Sequence, residues 1–119
     1  MNGKRATIRL AQIDTPETDQ PWGKNARRAL AKKLSRRTVQ IEVVDVDNYG
    51  RLIATVFVNG ENVNRQLVQE GHAWAYRQYL HDRSLLKDER SARQEHLGLW
   101  QATDPIPPWD WRRRVSKSR

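Results

Sequence analysis

Thr7-Ile8-Arg9-Leu10-Ala11-Gln12-Ile13-Asp14-Thr15-Pro16-Glu17 is the stretch that decides how this chain folds. From Thr7 to Ala11 the apolar Ile8 and Leu10 alternate with Thr7 and Arg9, the period of two that marks a half-buried strand. The pattern then runs into polar turn chemistry from Asp14 to Gln20, where Pro16 and Pro21 restrict the backbone and remove hydrogen-bond donors. A strand thus delivers Asp14 to a kinked loop, with Arg9 behind it and Glu17 just ahead.

Beyond that loop, Trp22, Ala26, Ala29, Leu30 and Leu34 recur at helical spacing, with basic residues between them. This predicts a cationic amphipathic helix over 22–35. Thr38 to Val46 and Leu52 to Val58 are rich in β-branched residues, and Asp47-Asn48-Tyr49-Gly50 between them predicts a hairpin turn with Arg51 just past it. Asn59-Gly60 marks another reversal, followed by a short helix outlined by Val63, Leu67 and Val68 that Gly71 ends. A further helix, capped by Asp82 or Ser84 and carrying Leu85, Ala92 and His96, stops at Gly98. Asp104 to Trp111, with three prolines and two tryptophans, predicts an extended arm that packs by its rings. Strands around one helix, with helices added C-terminally, predict an α+β domain: a small, partly closed β-barrel of the kind that binds nucleic acids on an open face.

A chain of 119 residues fits one domain with a real core, and the absence of cysteine excludes disulfides, thiolate zinc sites and cysteine nucleophiles. No apolar run is long enough to span a bilayer, and Met1-Asn2-Gly3-Lys4-Arg5 is not the start of a signal peptide. The net charge of +8 points to polyanionic partners. Five of those charges, Arg112, Arg113, Arg114, Lys117 and Arg119, follow the last acid, Asp110, so residues 112–119 are read as a basic C-terminal tail on a domain of residues 1–111. Lys24, Arg27, Arg28, Lys32, Lys33, Arg36 and Arg37 form a second basic cluster. A solvated helix face and a disordered end explain both clusters without any ligand.

Hydrolysis of a phosphodiester needs charge neutralised on the phosphate oxygens, water activated or positioned, and the leaving oxygen stabilised. Arginine binds phosphate in bidentate fashion and stays protonated, which makes Arg9 and Arg51 candidates. A hard divalent cation takes oxygen ligands, which Asp14 and the carbonyl of Thr15 supply, and Glu17 is near enough in sequence to reach water. Taken singly, each has a structural explanation: Asp14 or Thr15 as a cap, Glu17 in a first helical turn, Arg51 as a solvated strand residue. His72, His81 and His96 lack metal-ligand spacing, and the five tryptophans are read as core and arm packing.

The combination is longer than either motif. Arg9-Leu10 with Ile13-Asp14-Thr15-Pro16-Glu17 and Gln20-Pro21-Trp22-Gly23-Lys24, then Asp47-Asn48-Tyr49-Gly50-Arg51-Leu52 with Asn59-Gly60 and Val63-Asn64, resembles the thermonucleases, the staphylococcal-nuclease-like domains. Gly98-Leu99-Trp100 and Pro108-Trp109-Asp110-Trp111-Arg112 resemble the close of many bacterial members, so the likeness runs nearly end to end. It implies an OB-fold barrel and a calcium-dependent phosphodiesterase acting on DNA or RNA with little sequence preference. It further implies that Asp14 is a calcium ligand, that Thr15 coordinates through its carbonyl, and that Glu17 is the base or water-positioning group. Arg9 and Arg51 would clamp the phosphate, while Tyr49, Tyr76 and Tyr79 would face the nucleotide.

The chain departs from that family at its start. The strand or strands that precede the one carrying Arg9, and their Asp-Gly-Asp-Thr turn with a further calcium ligand, are lacking; only Asn2-Gly3-Lys4-Arg5 matches the hairpin that follows. The expectation is a barrel with its N-terminal part missing, monomeric but open to strand exchange at unpaired edges, with weakened metal binding. Bacterial relatives are often secreted or periplasmic, and any signal peptide would belong to the same missing segment. The rival readings are a nucleic-acid-binding module without turnover and an interaction domain of a larger protein.

Overall fold

The structure, a computed structural model, describes residues 5–118, so most of the Asn2–Arg5 hairpin lies outside the described residues. The decisive strand forms as β1 (Ile8–Leu10) and is followed by the short β2 (Ile13–Asp14). Helix α1 (Gly23–Leu34) leads to the hairpin of β3 (Val39–Val46) and β4 (Leu52–Val58), and β5 (Glu61–Asn62) folds back on β4. Then come α2 (Val63–Gln69), β6 (Trp74–Ala75), a 3-10 turn at Arg77–Tyr79, α3 (Ser84–Gln94), a second 3-10 turn at Gly98–Gln101, and α4 (Pro108–Ser118). The class is α+β, consistent with an OB-like domain.

β4 is the centre of the sheet, pairing parallel with β1, antiparallel with β3 and antiparallel with β5; β2 pairs separately with β6. Along β4, Ala54, Val56 and Val58 are buried. Because successive side chains point to opposite faces, the register Ile8↔Leu52 and Leu10↔Ala54 turns Ile8 and Leu10 toward this core. Arg9, opposite Ile53, is turned to the other face. The core continues through Ile13, Val63, Leu67, Val68, Ala73, Ala75 and Leu85. A second cluster joins Trp74, Ala92, Leu99 and Trp100, with Trp22 and Trp109 packed against it.

A single buried amide ties the central strands together. Asn64, at the start of α2, donates from Nδ2 to the carbonyls of Ala11 and Ala54, each at 3.1 Å, and its Oδ1 accepts from the Val56 N–H at 3.0 Å. The side chain thus substitutes for ladder bonds where β1 leaves β4. Elsewhere Gly71 and Gly98, both at positive φ, meet backbone to backbone, and a Cβ on either would run into the other segment.

The sheet is open on one side. Ile41, Val43 and Val46 share the core face of β4 by register, opposite Val56, Ala54 and Leu52, yet they are 40%, 47% and 54% exposed. Among the described residues no strand pairs with the outer edge of β3. The order β1-β4-β3 leaves the outer edge of β1 without a strand partner in the same way.

Two expectations shift at the C-terminal end. The arm from Asp104 packs by its rings, but it is extended only as far as Pro107: Pro108 begins a helix, a position where its missing N–H costs nothing. That helix crosses the division expected between residues 111 and 112. The α3 helix ends at Gln94, so His96 lies beyond it, at φ 54°.

Asn64→Ala is expected to lower the free energy of unfolding by about 2–4 kcal/mol, since the Val56 N–H and the Ala11 carbonyl lose this partner while the Ala54 carbonyl keeps only the Ala11 N–H. Urea denaturation followed by tryptophan fluorescence measures it.

Candidate active site

The acidic end of β2 is where the candidate residues converge. Asp14 is buried, 6% exposed, because β2 pairs with β6 through Asp14↔Trp74. Arg9 reaches it from β1: its Nη1 donates to the carbonyls of Leu10 and Ile13 at 2.7 and 3.1 Å, which fixes the guanidinium, and its Nη2 lies 3.6 Å from Asp14 Oδ1. The Arg9 guanidinium also stands 5.0 Å from the centre of the Tyr76 ring.

Glu17 is set by the loop's own backbone. Its N–H donates to Gln20 Oε1 at 3.0 Å and its carbonyl accepts from the Gln20 N–H at 2.9 Å, closing a tight turn. Gly23 is then forced, since a Cβ there would overlap the Glu17 carbonyl. Trp22 just before it takes φ 71°, a conformation unusual for a residue with a side chain, and its ring is held by donating from Nε1 to His72 Nδ1 at 3.1 Å. The Pro-Trp-Gly sequence is thus the local geometry that aims Glu17. Gln20 Nε2 donates in turn to the Ile106 carbonyl and fastens this loop to the C-terminal arm.

One participant was hidden among the tail charges. Arg112, on α4, donates from Nη2 to Asp14 Oδ2 at 2.6 Å and from Nη1 to Asp14 Oδ1 at 3.1 Å and Glu17 Oε1 at 2.7 Å. A sequence signal for it did exist: proline at a helix start, with Trp109 and Arg112 three residues apart and so on one face. Trp109 stacks on Tyr76, centroids 5.3 Å apart with planes 6° from parallel, and meets Trp74 edge-on at 5.6 Å.

The remaining predicted residues divide into two groups. Tyr76 belongs to the acidic cluster through Arg9, Arg112 and Trp109, and Tyr79 contacts it edge-on at 4.9 Å while remaining half exposed. Thr15 is half-buried between Asp14 and Pro16. Arg51 and Tyr49 are not brought to the acids. Arg51 donates from Nε to Asp47 Oδ2 at 2.6 Å and lies 5.8 Å from the centre of the Tyr49 ring, which is 86% exposed. The period of two along β4 nevertheless turns Arg51 to the same sheet face as Ile53, and hence as Arg9.

Burial raises the Asp14 carboxyl above the ordinary aspartate range, against the opposing pull of Arg112 and Arg9 and with the Glu17 charge adding to the rise; Arg112 is held protonated more firmly than a free arginine by its hydrogen bonds to Asp14. Asp47 behaves oppositely. Desolvation pushes it up, but the backbone N–H groups of Arg51 and Tyr49 and the Arg51 guanidinium outweigh that and hold it below the ordinary range.

Two carboxylates thus face one point, with Arg9 and Arg112 against them and Tyr76 and Tyr79 beside them. A metal fits the donor set in kind: the Asp14 and Glu17 oxygens already converge on one cationic group, the Arg112 guanidinium, and the Thr15 carbonyl is adjacent in sequence. No group of three or more histidine or acidic side chains able to hold a metal occurs among the described residues, so water and phosphate oxygens would complete the shell.

Residues 7–102 match the family model described as staphylococcal nuclease homologue. The chain is 41% identical to Protein ParB of Escherichia coli over 94% of its own length and 70% of that protein's. It is 36% identical to an uncharacterized endonuclease of Haemophilus influenzae, covering 93% of this chain and 62% of the relative, and 37% identical to staphylococcal-like nuclease CAN1 of Arabidopsis thaliana, covering 92% and 34%. The chain belongs to the staphylococcal nuclease homologue family. It spans only about a third of the length of the plant relatives it matches.

For Asp47 the folded carboxyl is more acidic than the unfolded one, so its contribution to stability is present above the unfolded aspartate pKa and is lost as pH falls through the folded value. Amide exchange by NMR is expected to show Tyr49 and Arg51 losing protection in acid, with Asp47→Asn removing that pH dependence.

Proposed function

We propose that this chain is a metal-dependent phosphodiesterase that hydrolyses DNA, RNA or both with little sequence preference, using calcium as the cation. The observation that carries this reading is the convergence of Asp14 and Glu17 on one cationic point beside Arg9, in a chain of a family whose relatives are named nucleases. When bound, the cation would supply electrostatic activation of the phosphate and of the attacking water. Asp14 would hold it, with the Thr15 carbonyl.

The chain's own groups do the rest. Glu17 orients the attacking water and takes its proton, a role that suits a half-exposed carboxylate fixed by its backbone turn. Arg9, braced by two carbonyls, holds a phosphate oxygen and stabilises charge as it develops. Arg51 approaches from the hairpin on the same face, leaving Asp47 for the phosphate. Tyr76, Tyr79 and Tyr49 line the path of the neighbouring nucleotides. The basic face of α1 adds a sequence-independent field that draws polyanions in and weakens as salt rises. The chain works as a monomer in this reading, and the outer edges of β1 and β3 are where strand exchange would occur.

Digestion of single-stranded DNA and of RNA with calcium, against a chelator control, tests the reading. Arg51→Ala is expected to cost about a hundred- to a thousand-fold in rate, the loss typical of one charge-stabilising donor, with the fold retained. Glu17→Gln is expected to lower the rate by a similar factor, with nucleic-acid binding little changed. Salt-sensitive binding by a folded chain that turns nothing over would replace the enzyme with a binding module.

A further inference from the structure

The acidic pair already has a cation, and it comes from this chain. Arg112 lies outside the stretch that matches the family model, yet it engages both oxygens of Asp14 and one of Glu17. Without it, Asp14, Glu17 and Arg9 leave one uncompensated negative charge beside the buried Asp14; with it the cluster is neutral. Its placement is built rather than incidental. Pro108 starts the helix, Trp109 stacks on Tyr76 and abuts Trp74, and Trp111 Nε1 donates to Asp19 Oδ1 at 3.3 Å. The preceding arm is tied at Ile106 to Gln20 of the Glu17 turn.

We propose that α4 is an autoinhibitory latch in which Arg112 fills the acidic pair as a built-in counter-ion, so that a divalent cation gains the site only by expelling it. The two occupants exclude each other because they need the same Asp14 oxygens. A site open for about one-tenth of the time binds its ligand about tenfold more weakly, so the latch sets the cation concentration at which the site loads. Arg112 is anchored through Trp109 at a ring that also faces Arg9. The inference rests on the reading of Asp14 and Glu17 as a cation site.

Calorimetric titration of calcium chloride into the full chain, without nucleic acid and at fixed ionic strength, tests it with wild type, Arg112→Gln and Arg112→Lys. Arg112→Gln is expected to bind calcium about tenfold more tightly. Arg112→Lys keeps the charge but cannot fork across both Asp14 oxygens, and it too is expected to bind more tightly than wild type. Equal, measurable affinities in wild type and Arg112→Lys would sink the latch while leaving the cation site standing, since any gain in Arg112→Gln would then be through-space charge alone. Calcium binding by none of the three would remove the cation site and the latch with it. Near-UV circular dichroism of the tryptophans confirms that each variant is folded; if Arg112→Gln is not, the Arg112→Lys comparison decides.

Discussion

The site depends on a carboxylate that the fold puts out of water. Asp14 is buried because the two-residue strand that carries it pairs with β6, and a buried carboxylate must be met by positive charge or hydrogen bonds. Arg9 meets it from the neighbouring strand, held by main-chain carbonyls, and Arg112 meets it from the end of the chain. The aromatic ledge of Tyr76, Trp109 and Trp74 follows from the same need, since it carries the helix that brings Arg112 in.

A second buried acid shows what distinguishes this one. Glu89, 2% exposed on α3, accepts from the Ala75 N–H at 2.9 Å, from both terminal nitrogens of Arg77 at 2.6 Å each, and lies 2.9 Å from Arg93. Its partners are the Ala75 backbone on β6, Arg77 in the 3-10 turn that follows and Arg93 one turn along α3, and the group braces the strand opposite Asp14. Asp14 is met instead from two segments, by Arg9 on β1 and Arg112 on α4. Its strongest partner sits on α4, 98 residues away in sequence. Both acids are met by arginine, one by near neighbours in sequence and the other by a helix that only the fold brings to it.

Much of this was legible in the chain. Alternation from Thr7 to Ala11, the prolines that kink the loop, and the Asp47–Gly50 turn are local signals, and the structure shows β1, the loop and the hairpin where those signals lie. Asn64 was readable only as part of a motif; its reason, three bonds to two strands, needs the strands to be adjacent. Arg112 was misjudged because charge counting treats a run of arginines as solvated, whereas helix geometry places one of them beside Trp109 and against the acids.

The sequence by itself determined which elements form and which chemical groups the loop offers, because periodicity, proline and turn residues act over a few positions. Only the tertiary structure decided that Asp14 is buried, that Arg9 is braced while Arg51 is held by Asp47, and that Arg112 closes the site. Those outcomes depend on which segments meet across long sequence separations, and no local pattern encodes the distance between two side chains that only packing brings together.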